Sequence, residues 1–584
     1  MNKEWSLDAL YTSYSDKAFT SDMALLEDKI NEFKSYITNN LTGQNPKEEL
    51  KTAVVSLEEL TTLLNKLYSY TSLRQATNTT DSETTALIGK LDKLDSSMAK
   101  ENSIFQKYIA GIEDLSQMLE VEELKGYEFF LNEIKKSSKY NLNDDVEEVV
   151  AKLNISGGSA WSSLQEYLTS TVEVDYNNET TTLAGIRNMA YSGDKEVRKS
   201  AYEAELKSYK KIKDPIAFSL NNIKAQVNTL VDLRGFESAL DLTLQRSNMT
   251  KATLDAMFTA IMEYLPKFHE YLKRKGTLLG HKNGLPWYDL FAPMGSVSKT
   301  FSTEEAKEYL IKNFEGFSKD LADMTKEAFD DAWIDFFPHA GKVGGAFCAN
   351  LPFIKQSRIL TNFDGSLSDV VTLAHELGHA YHGMHIQEHL PLNTDYSMPV
   401  AETASTFNET VIMEAAIKDA DKEEKLALIE SQLQDVTQII CDIYSRYLFE
   451  TAVFEQGKDG FLFADDLEKL MLDCQKKAYG EGLDHEFLHP YMWVCKGHYY
   501  SPSLSFYNFP YAFGGLFARG LYAKYLEEGS AFVPKYQSLL NATTVKSVED
   551  VASMAGIDLT NPDFFRSSLK TVAGRIDEFL ELTK

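Results

Sequence analysis

Apolar residues recur at three- and four-residue steps through most of the chain, the spacing of a helix with one buried face. Leu50, Val54, Leu57, Leu60, Leu64 and Leu67 form one such stripe, and Leu87, Leu91 and Leu94 repeat it. Asn45-Pro46-Lys47-Glu48 marks the start of the first: Asn45 can cap, Pro46 suits the first turn, and Glu48 can reach back. These stripes are packing surfaces without chemistry. The period breaks at Ser156-Gly157-Gly158-Ser159, a turn or linker, and again from Ser170 to Val174. With Asp175-Tyr176-Asn177-Asn178 behind it, that second break predicts a strand entering a hairpin. Helical spacing resumes near Leu183. The glycine-rich run from Gly341 to Gly345, followed by Ala346-Phe347-Cys348-Ala349-Asn350, predicts a loop and a short strand. The expected fold is mainly α with a small β-sheet near the middle. The expected division is an N-terminal helical region with a hairpin, residues 1–195, and a second region, 196–584.

Composition narrows the function. With 43% hydrophobic and 25% charged residues the chain reads as globular. Its formal net charge of −28 repels phosphate backbones and anionic membranes, so no nucleic acid and no membrane are expected as partners. No stretch approaches the ~18–20 apolar residues of a membrane span. Cys348, Cys441, Cys474 and Cys495 form no CxxC pair, and Met1-Asn2-Lys3-Glu4-Trp5-Ser6 has no apolar run behind it. A cytoplasmic, reducing setting without a signal peptide is therefore expected. No GxSxG and no GxxxxGK occurs, which argues against a serine hydrolase and against nucleotide-driven work.

Five of the 11 histidines fall between His375 and His389. His375-Glu376-Leu377-Gly378-His379 is an HExxH sequence, and residues four apart share a helix face, so His375 and His379 can hold one ion. Glu376 stands beside the first ligand, where a carboxylate can serve as general base. A catalytic zinc takes three protein ligands and leaves a position open, so a third ligand is needed. His385 has the count of the extended HExxHxxGxxH motif, and Met398 could pass for its methionine turn. However, His382 stands where that motif needs the glycine that turns the chain out of the helix. If the helix continues, His385 is ~15 Å along it from His375 and on another face. Glu402 is the better third ligand: Met398-Pro399-Val400-Ala401-Glu402 reads as a helix start that can return its carboxylate to the histidines. Glu409, seven residues on and on the same face, can support a histidine from behind.

Ala374-His375-Glu376-Leu377-Gly378-His379 and Ala401-Glu402-Thr403-Ala404-Ser405 resemble the oligoendopeptidase F family, relatives of thimet oligopeptidase. So do Gly193 to Tyr202, Trp287-Tyr288-Asp289-Leu290 with Pro293, and His498 followed by Phe506 to Gly514. The resemblance covers roughly residues 110–580. It implies a large helical ellipsoid with a deep substrate channel and a zinc ion at its bottom, residues 196–584 forming the catalytic domain. It also implies cleavage inside short peptides, and substrate-facing roles for His498, Tyr507 and Tyr511, with Tyr499 and Tyr500 as rivals. The segment Gly344 to Ala349 is expected to offer an edge strand to the peptide; Cys348 within it reads as a small buried residue. The expectation is a zinc endopeptidase with one Zn2+ per chain. A catalytically impaired peptide-binding relative is the alternative, which has no need of Glu376.

Overall fold

The computed structural model describes residues 3–120, 122–296 and 299–584. The expected helix at Pro46 forms: α1 (Lys17–Asn40) pairs with α2 (Pro46–Thr77), whose Leu50, Val54, Leu60, Leu64 and Leu67 are buried. Its start is held differently from the expectation. Asn45 makes no capping bond, and Glu49, rather than Glu48, reaches back. The Glu49 carboxylate accepts from the backbone N–H groups of Thr42, Gly43 and Asn45 at 2.9, 2.8 and 3.0 Å.

Two apolar cores result. The smaller gathers residues between Leu10 and Leu131 together with Leu351; the larger begins at Val172 and runs to Phe579. The hairpin, β1 (Val174–Tyr176) with β2 (Glu179–Thr181), turns at Asn177 and Asn178, both with positive φ. Val172 and Val174 bury themselves in the larger core, so the segment expected as 1–195 contributes to both. The strand is shorter than its sequence suggested. Ser170 and Thr171 finish the helix Gly158–Thr171, their hydroxyls donating back to the Tyr167 carbonyl at 3.0 and 2.6 Å. That local bond lets two poor helix formers close a last turn.

The small sheet lies beside the expected chemistry. Its order is β3 (Ile334–Asp335), β5 (Gln356–Leu360), β4 (Phe347–Leu351), with β3 parallel and β4 antiparallel to the central β5. β4 is an edge strand. Its Leu351 is fully buried in the smaller core, and Phe347 and Ala349 pack on that core too. The strand thereby ties the N-terminal helices to the body of the molecule.

Three helices carry the site. The first, α3 (Leu367–Ile386), starts where Ser366 Oγ accepts from the Asp369 N–H at 3.1 Å, and it buries Leu367, Val370, Leu373, Ala374 and Leu377. It runs through residues 380–382 without a break. A short helix, Met398–Ala401, then leads into α4 (Thr403–Asp419), with Glu402 at the junction between them rather than inside a continuous helix. α3 and α4 touch backbone to backbone: a Cβ on Gly378 would lie 2.5 Å from the Ala404 carbonyl oxygen. The third, α5 (Phe509–Glu528), starts with Pro510 in its first turn and brings Gly514 against Glu402. Among the described residues no helix is long and apolar enough to cross a membrane.

Candidate active site

One turn of α3 separates His375 from His379, and both project to the junction where Glu402 stands. Glu402 Oε2 lies 3.3 Å from His375 Nε2 and 3.4 Å from His379 Nε2, and the two nitrogens are 3.2 Å apart. Among the described residues this is the one group of three or more His, Cys, Asp or Glu whose ligand atoms converge in this way. The triangle fits a metal ion: tetrahedral ligands at zinc bond lengths of ~2.0–2.1 Å sit about 3.3 Å from one another. Behind it, Glu409 Oε1 holds His375 Nδ1 at 2.9 Å, which fixes the ring and turns Nε2 to the cluster. Ser405, one turn along α4, donates to Glu402 Oε2 at 2.6 Å.

The electrostatics agree with the geometry. Burial works against a charge on His375, but the hydrogen bonds its ring donates to Glu402 and Glu409 outweigh it and raise the ring to about 10. The Glu402 carboxyl, against its burial, is driven far below the usual carboxylate range by the two imidazoles. A field that holds a proton this firmly will also hold a cation in its place. Glu376 is buried, and that burial raises its proton affinity although His375 and His379 pull the other way. Cys348 on β4 is pushed up by burial and by the charge of Glu376, which makes it a thiol and no nucleophile.

His385 stays away from the cluster. It lies on the unbroken end of α3, edge-on to Tyr381, with Nε2 3.9 Å from Asp320. Met398 is solvent-exposed. His498, Tyr507 and Tyr511 do come together: their ring centroids are 5.1, 6.2 and 5.7 Å apart, pair by pair. Tyr511 sits one turn before Gly514 on α5, facing the Glu402 side. Its hydroxyl is kept protonated by burial and by its bond with Tyr507. The rivals are core residues: Tyr499 is fully buried, and Tyr500 donates to the Trp493 carbonyl at 2.8 Å.

Two residues that the sequence did not single out, Asn508 and Arg446, set the state of His498. Asn508 Oδ1 accepts from Arg446 at 3.0 Å and contacts His498 Nδ1 at 3.1 Å. The cationic Arg446 requires the oxygen there, and an oxygen cannot donate, so the imidazole proton sits on Nδ1. Burial lowers the proton affinity of His498, and Arg446 and Lys496 lower it further. A neutral ring protonated at Nδ1 presents Nε2 as an acceptor, with the two tyrosine rings beside it. Arg446 is itself held by Asp442, which ends a π-helical turn at Gln438–Asp442. Such turns often stand at functional sites, but the sequence gives no local sign of this one.

Comparison with known proteins gives a consistent picture. The model of peptidase family M3 matches residues 188–571, and that of oligopeptidase F matches residues 110–173. Oligopeptidase PepF of Bacillus subtilis is 26% identical over 99% of this chain and 87% of its own length. Group B oligopeptidase PepB of Streptococcus agalactiae is 24% identical over 99% and 97%. Oligoendopeptidase-F from Enterococcus faecium has the same fold, with a TM-score of 0.71 at 19% identity over 96% of this chain and 99% of that one.

Proposed function

The chain belongs to peptidase family M3 and is a metallopeptidase, and from that premise we propose that it is a zinc-dependent endopeptidase of short oligopeptides. The observation that carries the reading is the triangle of His375, His379 and Glu402 with Glu409 behind it and Glu376 beside it. His375, His379 and Glu402 would hold one Zn2+. Bound there, zinc supplies Lewis acidity, which acidifies water to a pKa of ~7 and polarises a peptide carbonyl.

The chain's own groups do the rest. Glu376 takes the proton of the attacking water and hands it to the leaving amine; its burial makes it the stronger base for the first step. Tyr507 and Tyr511 donate to the oxygen on which negative charge develops. One such donor is typically worth ~2.7–4 kcal/mol of barrier. His498, protonated at Nδ1, accepts through Nε2 from a substrate N–H or a tyrosine hydroxyl. The free edge of β4 offers backbone groups to an extended peptide, which would explain tolerance of many side chains. A cavity of about 540 Å³ between α2, β4 and the end of α3, lined by Tyr68, Asn350 and Gly383, gives room for the chain beyond the cut bond. All four cysteines are unpaired, which fits the expected cytoplasmic setting.

The test is Glu376→Gln. The isosteric amide leaves fold and zinc content unchanged and removes nearly all cleavage of short peptides, because it cannot take the proton. Near wild-type turnover in a preparation free of other peptidases would sink the mechanism.

A further inference from the structure

A second cavity, of about 320 Å³, opens behind the His498 loop and is lined by Arg187, Lys496, Gln438, Tyr191, Phe291 and Trp287. It contains none of the metal-site residues but adjoins the loop that carries His498. Lys496 immediately precedes the Gly497–Tyr500 turn that carries His498. Gln438 opens the π-helical turn that ends at Asp442, the partner of Arg446. The next residue, Ile439, lies against Gly515 of α5, next to the Gly514 that faces Glu402.

The charges in this cavity do not balance. Arg187 is paired with Glu205 at 3.0 Å, and Arg198 with the buried Asp289 at 2.8 Å. The Lys496 ammonium forms no ion pair and no hydrogen bond with a described residue. The acid on the wall, Glu205, is held by Arg187, Tyr209 and His489, and Asp442, outside the cavity, is taken by Arg446. Burial lowers the proton affinity of Lys496, with Arg446 as a like charge nearby, so its ammonium is only partly hydrated. In a protein of net charge −28, an uncompensated cation in a cavity beside the active site is out of character unless an anion arrives to meet it.

We propose that this cavity is a carboxylate-binding subsite, in which the Lys496 ammonium, with Gln438 in the same wall, receives a carboxylate of the bound peptide. The proposal rests on the oligopeptidase reading, and it names what part of the peptide is recognised. Two sources share the chemistry: the C-terminal carboxylate, or an Asp or Glu side chain. A charge-assisted hydrogen bond in a partly dehydrated pocket is about twice as strong as a neutral one, enough to set a measurable preference.

The experiment measures dissociation constants of short peptides on the zinc-loaded Glu376→Gln protein, where nothing is cut. One pair of peptides differs only in ending as a free acid or a carboxamide. A second pair, both amidated, differs in Glu or Gln near that end. We expect about tenfold tighter binding of the acid in at least one pair, the pair identifying the source. Lys496→Met should bring that ratio close to one, and Lys496→Arg should restore it. Equal affinities in both pairs, or a preference that survives Lys496→Met, overturns the subsite. Turnover of the same peptides by the wild-type protein is read separately, so failure of the peptidase reading is seen as absent cleavage and not as a lost ratio.

Discussion

Glu402 does two things at once, and both follow from where it stands. It stands at the junction between Met398–Ala401 and α4, and its carboxylate faces His375 and His379 on α3. Ser405 then fixes one of its oxygens. Removing it leaves two imidazoles without a third ligand or a counter-charge. Glu402→Ala should therefore strip the metal and abolish activity, whereas His385→Ala, at a residue beside Asp320, should keep the metal and most of the rate. Metal analysis of the two purified variants decides, and the reverse pattern would overturn the ligand assignment. His382 gives a prediction of another kind. It is fully buried, bonded to Thr543 at 2.8 Å and stacked on Tyr396, and burial pushes its pKa down to about 3. Between that value and the ordinary ~6.5 the unfolded chain binds a proton that the folded one excludes. Stability from this residue is full above pH 6.5 and is lost as pH falls toward 3, by about 2 kcal/mol between pH 7 and pH 5. Denaturant titrations of wild type and His382→Gln at both pH values should show their difference in unfolding free energy change by that amount; a difference independent of pH contradicts it.

Among elements, the contact of α3 with α4 is the one on which the site depends. Gly378 lies inside the HExxH sequence, and the backbone of Ala404 and Ser405 occupies the space where its side chain would be. Gly378→Ala must push the two helices apart, and the ligands are divided between them. The variant should remain helical by circular dichroism yet bind zinc at least tenfold more weakly; unchanged zinc affinity would show that the contact is dispensable. Much of this arrangement was legible in the chain. A four-residue repeat of histidines has one meaning on a helix, and His382 in place of glycine correctly implied that α3 runs on to Ile386. The bond from Glu409 to His375 was readable from its spacing to Glu402, and Ser405, one turn past Glu402, could have been read the same way. What was not legible depends on contacts between distant segments or on local competition. Ser170 and Thr171 look like strand residues until their hydroxyls find the Tyr167 carbonyl. Asn508 has no meaning without Arg446, 62 residues away, and Lys496 none without the cavity that Arg187 helps to close.

At the scale of the whole molecule, the arrangement divides labour between its two cores. The smaller core carries α1 and α2 across to β4, and the larger holds the metal-binding triangle and the tyrosine-bearing helix. We propose that a peptide reaches Glu376 by way of the cavity between α2, β4 and the end of α3, so that its reach is limited by the space there. Short peptides should be cut at internal bonds and casein left intact; rapid digestion of casein would count against such a restricted passage. The central claim, that one zinc held by His375, His379 and Glu402 makes this chain a peptidase, has a direct measurement. Protein stripped with a chelator is reloaded stepwise with zinc, and metal per chain and cleavage of a short-peptide library, read by mass spectrometry, are followed on the same sample. The account predicts no cleavage without metal, a rise in proportion to zinc, and a plateau at one ion per chain; full turnover in the stripped protein would contradict it.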